Sequence, residues 1–135
     1  MIILILDDDA DIRHKAVERH FAKDHTVLHA FTADEAVSIL MTCQERVGIA
    51  LLDHDLQDFA EENGRRIERH GVYFLAKMFN TVPEERWPAQ FVLHSHNVPG
   101  VRNMSTDLRG KGQVFIAMAY SQDMLAHLAE RIRPQ

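Results

Sequence analysis

Acidic side chains follow two of the short apolar segments of this chain. Asp7 and Asp8 come directly after residues 2–6, and Asp53 comes directly after residues 49–52. Carboxylates that are forced close together repel one another, and a bound cation is the usual means of keeping them ionised. Because oxygen ligands suit hard cations, we predict that Asp7, Asp8 and Asp53 bind Mg²⁺ or Mn²⁺, with water completing the coordination shell.

A second group of polar residues consists of imidazoles with one neighbouring acid. His54 and Asp55 come next along the chain after the Asp53 position, and His94 and His96 follow a later apolar segment. Residues two apart in an extended chain point to the same side, so His94 and His96 are predicted to face one site. Two interpretations stay open. The histidines hydrogen-bond the acids and orient them, or together with His54 they form a softer site for Zn²⁺.

Three further residues are candidates for binding an anion. Ser95 and Asn97 alternate with the two histidines, and Arg102 follows shortly after. A guanidinium group can bind a phosphate with two parallel hydrogen bonds, and the N-terminus of a following helix would add its dipole. The simpler alternative for Ser95 is a helix cap, which is common for a serine after a strand.

These residues must be positioned by a sheet, because they follow continuous apolar segments of the kind found in strands buried on both faces. Between the segments, apolar residues recur with the spacing of amphipathic helices. This alternation predicts an α/β fold with a doubly wound, five-stranded parallel sheet. The predicted strands are residues 2–6, 26–31, 49–52, 91–93 and 114–119, and the predicted helices lie within residues 12–21, 33–41, 74–79 and 124–132.

The carboxyl ends of the strands are the predicted location of the site, because ligands of open parallel sheets bind there. Three strands deliver acids, imidazoles and a hydroxyl to that edge. Asp9 and Asp11 are assigned differently, as acids that stabilise the start of the following helix. Two segments do not fit the alternation. Residues 57–70 are long and charged, and residues 97–112 are rich in glycine, with one short helix predicted at residues 103–109.

Length and composition limit what the chain can do. Its 135 residues are predicted to form one domain, residues 1–135. A net charge of −5 argues against binding duplex DNA, which needs an excess of Lys and Arg, but it permits a short nucleotide or an RNA end held by a metal ion. Cys43 is the only cysteine, and no segment has the length of a signal peptide or a membrane span. We therefore expect a cytoplasmic protein with no membrane partner.

Four of these positions match the pattern of receiver domains, and over nearly its full length the chain resembles that CheY-like, flavodoxin-like fold. Receivers place an acidic pair after strand one, a phospho-accepting Asp after strand three and a Ser or Thr after strand four. Asp7 with Asp8, Asp53 and Ser95 stand at those positions. Receivers also place a Lys after strand five, and this chain has none there.

The resemblance is closer to an atypical branch, the cyclic-phosphate-processing receiver domains. Their Leu-Asp-His-Asp-Leu motif matches residues 52–56, and their His-Ser-x-Asn motif matches residues 94–97. The branch continues with Pro, Gly and Asn-Met, which here are Pro99, Gly100 and residues 103–104, with Val98 as an additional residue before the proline.

What this resemblance implies is an enzyme that acts on cyclic phosphates, such as small nucleotides or RNA ends. A divalent metal on the three acids would bind a phosphate oxygen, and the other residues would move protons and stabilise charge. On this hypothesis His94 or His54 activates water, His96 protonates the leaving oxygen, Asp55 orients an imidazole, and the phosphate is stabilised by Ser95, Asn97 and Arg102.

Two alternatives belong to other classes. One is a signalling receiver that is phosphorylated on Asp53, and the other is a receiver-like module that binds a partner without chemistry. A stable acyl phosphate on Asp53 would favour the first alternative. Acids that bind no metal and affect no activity would favour the second.

Overall fold

The computed structural model describes residues 1–133 and contains the predicted parallel sheet. Its seven strands are β1 (Ile2–Leu6), β2 (Thr26–Ala30), β3 (Val47–Leu52), β4 (Phe59–Glu62), β5 (Arg65–Glu68), β6 (Gln90–Leu93) and β7 (Phe115–Ala117). Five of them form one sheet in the order β2-β1-β3-β6-β7, in which every pair of neighbours is parallel. The doubly wound α/β fold is therefore confirmed. The last strand is shorter than the predicted residues 114–119.

Helices cover both faces of this sheet, and each face has its own apolar core. Helices α2 (Ala33–Thr42), α3 (Gly71–Thr81) and α4 (Val98–Gly110) pack on one face, whereas α1 (Lys15–Phe21) and α5 (Gln122–Arg131) pack on the other. A π-helical turn (Ala10–His14) leads into α1, and a 3₁₀ turn (Glu84–Arg86) precedes β6. None of the helices in residues 1–133 is long and apolar enough to cross a membrane.

Strand order determines where a ligand can enter. The chain moves outward from β1 to β2 and then returns past β1 to β3, so the direction of winding reverses between β1 and β3. At such a switch point the loops after the two strands diverge and leave a crevice at the carboxyl ends. The residues that follow β1 and β3 are the predicted acids, and those that follow β6 stand beside them.

The charged segment at residues 57–70 is not a plain loop. Strands β4 and β5 pair as an antiparallel hairpin, with Asn63 and Gly64 at its turn. Both turn residues have positive φ, 53° and 75°, which is the conformation that an Asn-Gly hairpin turn requires. The sequence did contain that turn signal, but alternating apolar residues are missing because the hairpin is mostly exposed.

The glycine-rich segment at residues 97–112 is also mostly helical. Helix α4 begins at Val98, five residues before the short helix predicted at residues 103–109. Asn97 caps it, since its side-chain oxygen accepts a hydrogen bond from the Gly100 amide at 2.9 Å, and Pro99 lies in the first turn, where a missing N–H costs nothing. Gly100 is required by packing, because a Cβ there would lie 2.3 Å from Cγ of His54.

Candidate functional site

The three predicted metal ligands meet at the carboxyl end of the sheet. Asp7 and Asp8 follow β1, Asp53 follows β3, and one carboxylate oxygen from each lies within 4.8 Å of the others. The side chain of Asp7 is fully buried and that of Asp53 is 5% exposed, whereas Asp8 is the most accessible of the three. Among the residues the structure describes, this is the one group of three or more potential ligands close enough to share an ion.

Arg13 joins this group, and the sequence analysis missed it. Its guanidinium lies 3.2 Å from a carboxylate oxygen of Asp7 and 3.2 Å from one of Asp53, so it bridges the two buried acids. It also lies over the ring of Tyr120, 4.8 Å from the ring centre. Arg13 therefore supplies positive charge beside both Asp7 and Asp53.

The π-helical turn explains how Arg13 reaches the acids. Asp9 caps the turn, as predicted, by accepting a hydrogen bond from the Ile12 amide at 2.9 Å. Its own amide donates to the Asp7 carboxylate at 2.8 Å. One residue beyond Arg13, Nε2 of the buried His14 donates to the Asp7 backbone carbonyl at 2.8 Å. The turn therefore surrounds Asp7 with donors from both its backbone and its side chains.

His94 completes the group that we call the acid cluster, which consists of Asp7, Asp8, Arg13, Asp53 and His94. Nε2 of His94 lies 3.0 Å from the Asp7 carboxylate. Because the ionised carboxylate can only accept, Nε2 carries the proton of this bond. Nδ1 is buried and has no hydrogen-bond partner among the described residues. The predicted orientation of an imidazole by an acid is present here, with Asp7 as the acid.

The pKa values of the three acids diverge for identifiable reasons. Burial alone would raise the pKa of Asp7, but hydrogen bonds from His94 and the Asp9 amide, with the Arg13 charge, outweigh it and lower that pKa. Burial and then the Asp7 charge raise the pKa of Asp53. The same two causes, in the same order, raise the pKa of Asp8. The protein thus already stabilises the charge of Asp7. The charges of Asp8 and Asp53 are not fully stabilised, and a bound cation would stabilise them further.

The residues present fit a divalent metal of the hard type. The possible ligand atoms are all oxygens and follow two neighbouring strands. One of the three acids is accessible, so an ion with its water molecules can reach the site. Zn²⁺ bound by histidines does not fit, because His54, His94 and His96 form no close group of ligand nitrogens within residues 1–133. The softer histidine site therefore stays a prediction that this arrangement does not favour.

His54 and Asp55 form a second oriented pair beside the acid cluster. Nδ1 of His54 lies 2.8 Å from the Asp55 carboxylate, and Asn97 donates to the same oxygen at 3.0 Å. His70, for which the sequence indicated no role, stacks on the His54 ring with 4.7 Å between the ring centres. Asn97, predicted to bind phosphate, therefore uses its amide to cap α4 and to hold Asp55.

The remaining candidates divide into one buried residue and two exposed ones. The buried hydroxyl of Ser95 accepts a hydrogen bond from the Asn97 backbone amide at 3.1 Å. His96 and Arg102 are exposed and line a groove beside α4. His94 and His96 therefore do not share one site. The strand ends at Leu93, so the alternation that predicted a common face stops before either residue.

Comparison with known proteins gives a family and a set of similar folds. A family model described as the cyclic-phosphate processing receiver domain matches residues 2–110. No curated protein matches the chain. Among solved structures, the receiver domain of NtrX from Brucella abortus is 28% identical, with a TM-score of 0.60 over 96% of this chain and 95% of that chain.

Two further solved structures are also similar to the chain. A longer NtrX chain from Brucella abortus, in complex with ADP, is 28% identical with a TM-score of 0.60 over 96% of this chain, which spans only 26% of that chain. A CheY-like response regulator receiver domain protein from Methanospirillum hungatei JF-1 is 22% identical, with a TM-score of 0.60 over 96% of this chain and 91% of that chain. The fold is that of CheY-like receiver domains.

Proposed function

Since the chain belongs to the family of cyclic-phosphate processing receiver domains, we propose that it is a metal-dependent enzyme that opens cyclic phosphodiesters at the acid cluster. The observation that carries this proposal is the 3.0 Å hydrogen bond between His94 and Asp7, which brings an imidazole into a group of three carboxylates. Hydrolysis needs a group that moves protons, whereas phosphoryl transfer to an aspartate does not.

The proposed metal is Mg²⁺ or Mn²⁺, held by Asp7, Asp8 and Asp53. When bound, it would polarise the phosphate and neutralise part of its charge. Arg13 would contribute a second, fixed positive charge to the buried carboxylates, which it already contacts at 3.2 Å. The overall charge of −5 would disfavour long nucleic acid, so the proposed ligand is a small cyclic phosphate or an RNA end.

Proton movement is assigned to the two oriented imidazoles. Water attacks phosphorus, one phosphorus–oxygen bond of the ring breaks, and the product is a phosphomonoester. We assign the proton of the attacking water to His94, whose imidazole is held by Asp7 through Nε2, and Asp7 would stabilise the resulting imidazolium. His54, held by Asp55, donates a proton to the leaving ring oxygen.

Ring opening of 2′,3′-cyclic nucleotides, followed by phosphorus NMR with and without Mg²⁺ or Mn²⁺, tests the proposal. We expect metal-dependent opening that Asp53→Asn reduces by at least about a hundredfold, the usual scale for loss of a catalytic group. Asp11→Asn is the matched control, because it removes an equal charge from an exposed position nearby. Opening that needs no metal, or that survives in Asp53→Asn, would contradict the proposal.

A phospho-accepting receiver is the second candidate. It is favoured by the 28% identity with the NtrX receiver domain and by the place of Asp53 after β3. In this reading Arg13 takes the place of the absent Lys and contacts the phosphorylated Asp53. Incubation with acetyl phosphate and Mg²⁺, followed by mass spectrometry, separates the two functions. A phosphate on Asp53, absent from Asp53→Asn, together with intact cyclic nucleotide, would establish the receiver function.

A further inference from the structure

A groove lies between the first turns of α4 and the chain that leaves β7, and neither the metal nor the proton-transfer residues use it. It has a volume of about 300 Å³. Most of its surface is apolar and comes from short aliphatic side chains. We call it the α4–β7 groove and define it by its lining residues, which are Ser95, His96, Val98, Val101, Arg102, Ala117, Met118 and Ala119.

We propose that the α4–β7 groove binds the base of a nucleoside whose phosphate lies at the acid cluster. This inference rests on the proposed function, because it names the substrate class of that site as nucleotides and RNA ends rather than cyclic phosphates in general. It also reassigns His96 and Arg102, which the sequence analysis placed in proton transfer and in phosphate binding.

The groove is continuous with the acid cluster through one residue. Leu52 of β3 pairs with Leu93 of β6, so Asp53 and the residues 94–95 leave the sheet side by side, and Ser95 lines the groove. A ligand whose phosphate reaches the acids therefore extends its next group into the groove. In a nucleoside cyclic phosphate that next group is the ribose with its base.

The chemistry of the lining suits a flat aromatic ring. Val98 is exposed over 57% of its surface, and Val101 continues the same apolar wall. His96 and Arg102 are exposed side chains of the same groove. Imidazole rings and guanidinium planes are two of the groups on which proteins stack nucleic-acid bases.

The lining also predicts weak discrimination between bases. Ser95 is the one buried polar side chain among the residues of the groove, and its hydroxyl already accepts a hydrogen bond from the Asn97 backbone amide. Recognition would therefore come from stacking and apolar contact, which every base can provide. We expect adenine and uracil nucleotides to bind with similar affinity.

Calorimetric titration of the metal-loaded protein tests the inference without requiring turnover. The probes are adenosine 3′-monophosphate and glycerol 2-phosphate, which share a phosphomonoester but differ in the nucleoside. We expect the dissociation constant of the nucleotide to be about tenfold lower, the effect of one stacked base. Equal dissociation constants for the two probes would overturn the inference. Evidence that the groove binds a side chain of another protein instead would also overturn it.

Variants of the groove sharpen this result. Ala117→Phe fills the groove from an exposed position and should abolish most of the preference for the nucleotide. Arg102→Ala should lower the preference several-fold, whereas Arg109→Ala, which removes an equal charge from the same helix outside the groove, should leave it intact. If Arg102→Ala weakens both probes equally, Arg102 binds phosphate and the reassignment is wrong.

Failure of this inference and failure of the proposed function remain distinguishable. If cyclic nucleotides and glycerol 1,2-cyclic phosphate are opened equally well, the proposed hydrolase activity stands and the proposed base site is wrong. If the protein binds the nucleotide more tightly but opens neither cyclic phosphate, the proposed base site stands and the proposed hydrolase activity is wrong.

Discussion

The acid cluster and the α4–β7 groove lie side by side at the same edge of the sheet, yet they are built in opposite ways. Asp7 and His94 are buried, and Arg13 joins two carboxylates with distances of 3.2 Å. His96 and Arg102 are exposed, and their side chains form no hydrogen bond within residues 1–133. Groups that perform chemistry must be held before the ligand arrives, whereas groups that only cover a ligand can adjust to it. The difference therefore separates reaction from recognition.

Asp7→Asn should have the largest effect, because it removes the charge that Arg13 and His94 share. The change breaks the buried ion pair with Arg13 and weakens the hydrogen bond from His94, and it leaves Asp53 as the one acid paired with Arg13. We expect the free energy of unfolding of the metal-free protein to fall by about 3 kcal/mol. Urea denaturation in the presence of a chelator measures it. The exposed Asp11→Asn should change the same quantity by less than about 1 kcal/mol. Equal losses in both variants would mean that Asp7 is not fixed by its partners.

Arg13→Gln should have the next largest effect, and a metal should reverse it. Without the guanidinium, Asp7 and Asp53 repel one another, and stability should fall by about 2 kcal/mol, as for lost hydrogen bonds to charged groups. Saturating Mg²⁺ should restore most of this loss because it supplies the missing positive charge. Arg19→Gln is the control, since Arg19 contacts only the exposed side chain of Gln122. A loss that Mg²⁺ leaves unchanged would place the metal elsewhere.

Asp53→Asn should act in the opposite direction to Asp7→Asn. The pKa of Asp53 is raised by burial and by the Asp7 charge, so the ionised carboxylate lowers stability at neutral pH. The metal-free variant should gain on the order of 1 kcal/mol, comparable to the repulsion of two nearby charges in a watery environment. The gain should shrink as pH falls through the raised pKa, where the wild-type carboxyl is protonated, and Mg²⁺ should stabilise the wild type but not the variant. If Asp7→Asn and Asp53→Asn changed the free energy of unfolding in the same direction, the contrast between the two acids would be wrong.

The parts of this arrangement that were predictable from sequence are those that depend on residues adjacent to one another in the chain. The buried strands show as unbroken apolar segments, and the acids that follow them are neighbours at one sheet edge in any parallel fold. The hairpin was missed because its exposed strands carry no apolar alternation. The full length of α4 was missed because Gly100 reads as a loop residue, and only the His54 ring packed against it explains a glycine there.

Arg13 was missed for a different reason. Nothing in its immediate sequence distinguishes it from other surface arginines, and its contacts depend on the π-helical turn. The physical signal was available in another form. Three acids predicted at one edge need a positive charge, and the first turn after β1 is the nearest element that can supply it. Compensation of charge is therefore a constraint to apply before residues are assigned to the surface.

His96→Ala and Arg102→Ala should have the smallest effect on folding, and that makes them the most informative about the groove. Both residues are exposed, so each variant should change the free energy of unfolding by less than about 0.5 kcal/mol. Urea denaturation measures this, with Asp7→Asn as the sensitive reference. A loss above about 1 kcal/mol would show that the groove is held as firmly as the acid cluster. An unchanged stability together with a lost preference for nucleotides would instead mean that these two side chains contribute to the protein only when a ligand is bound.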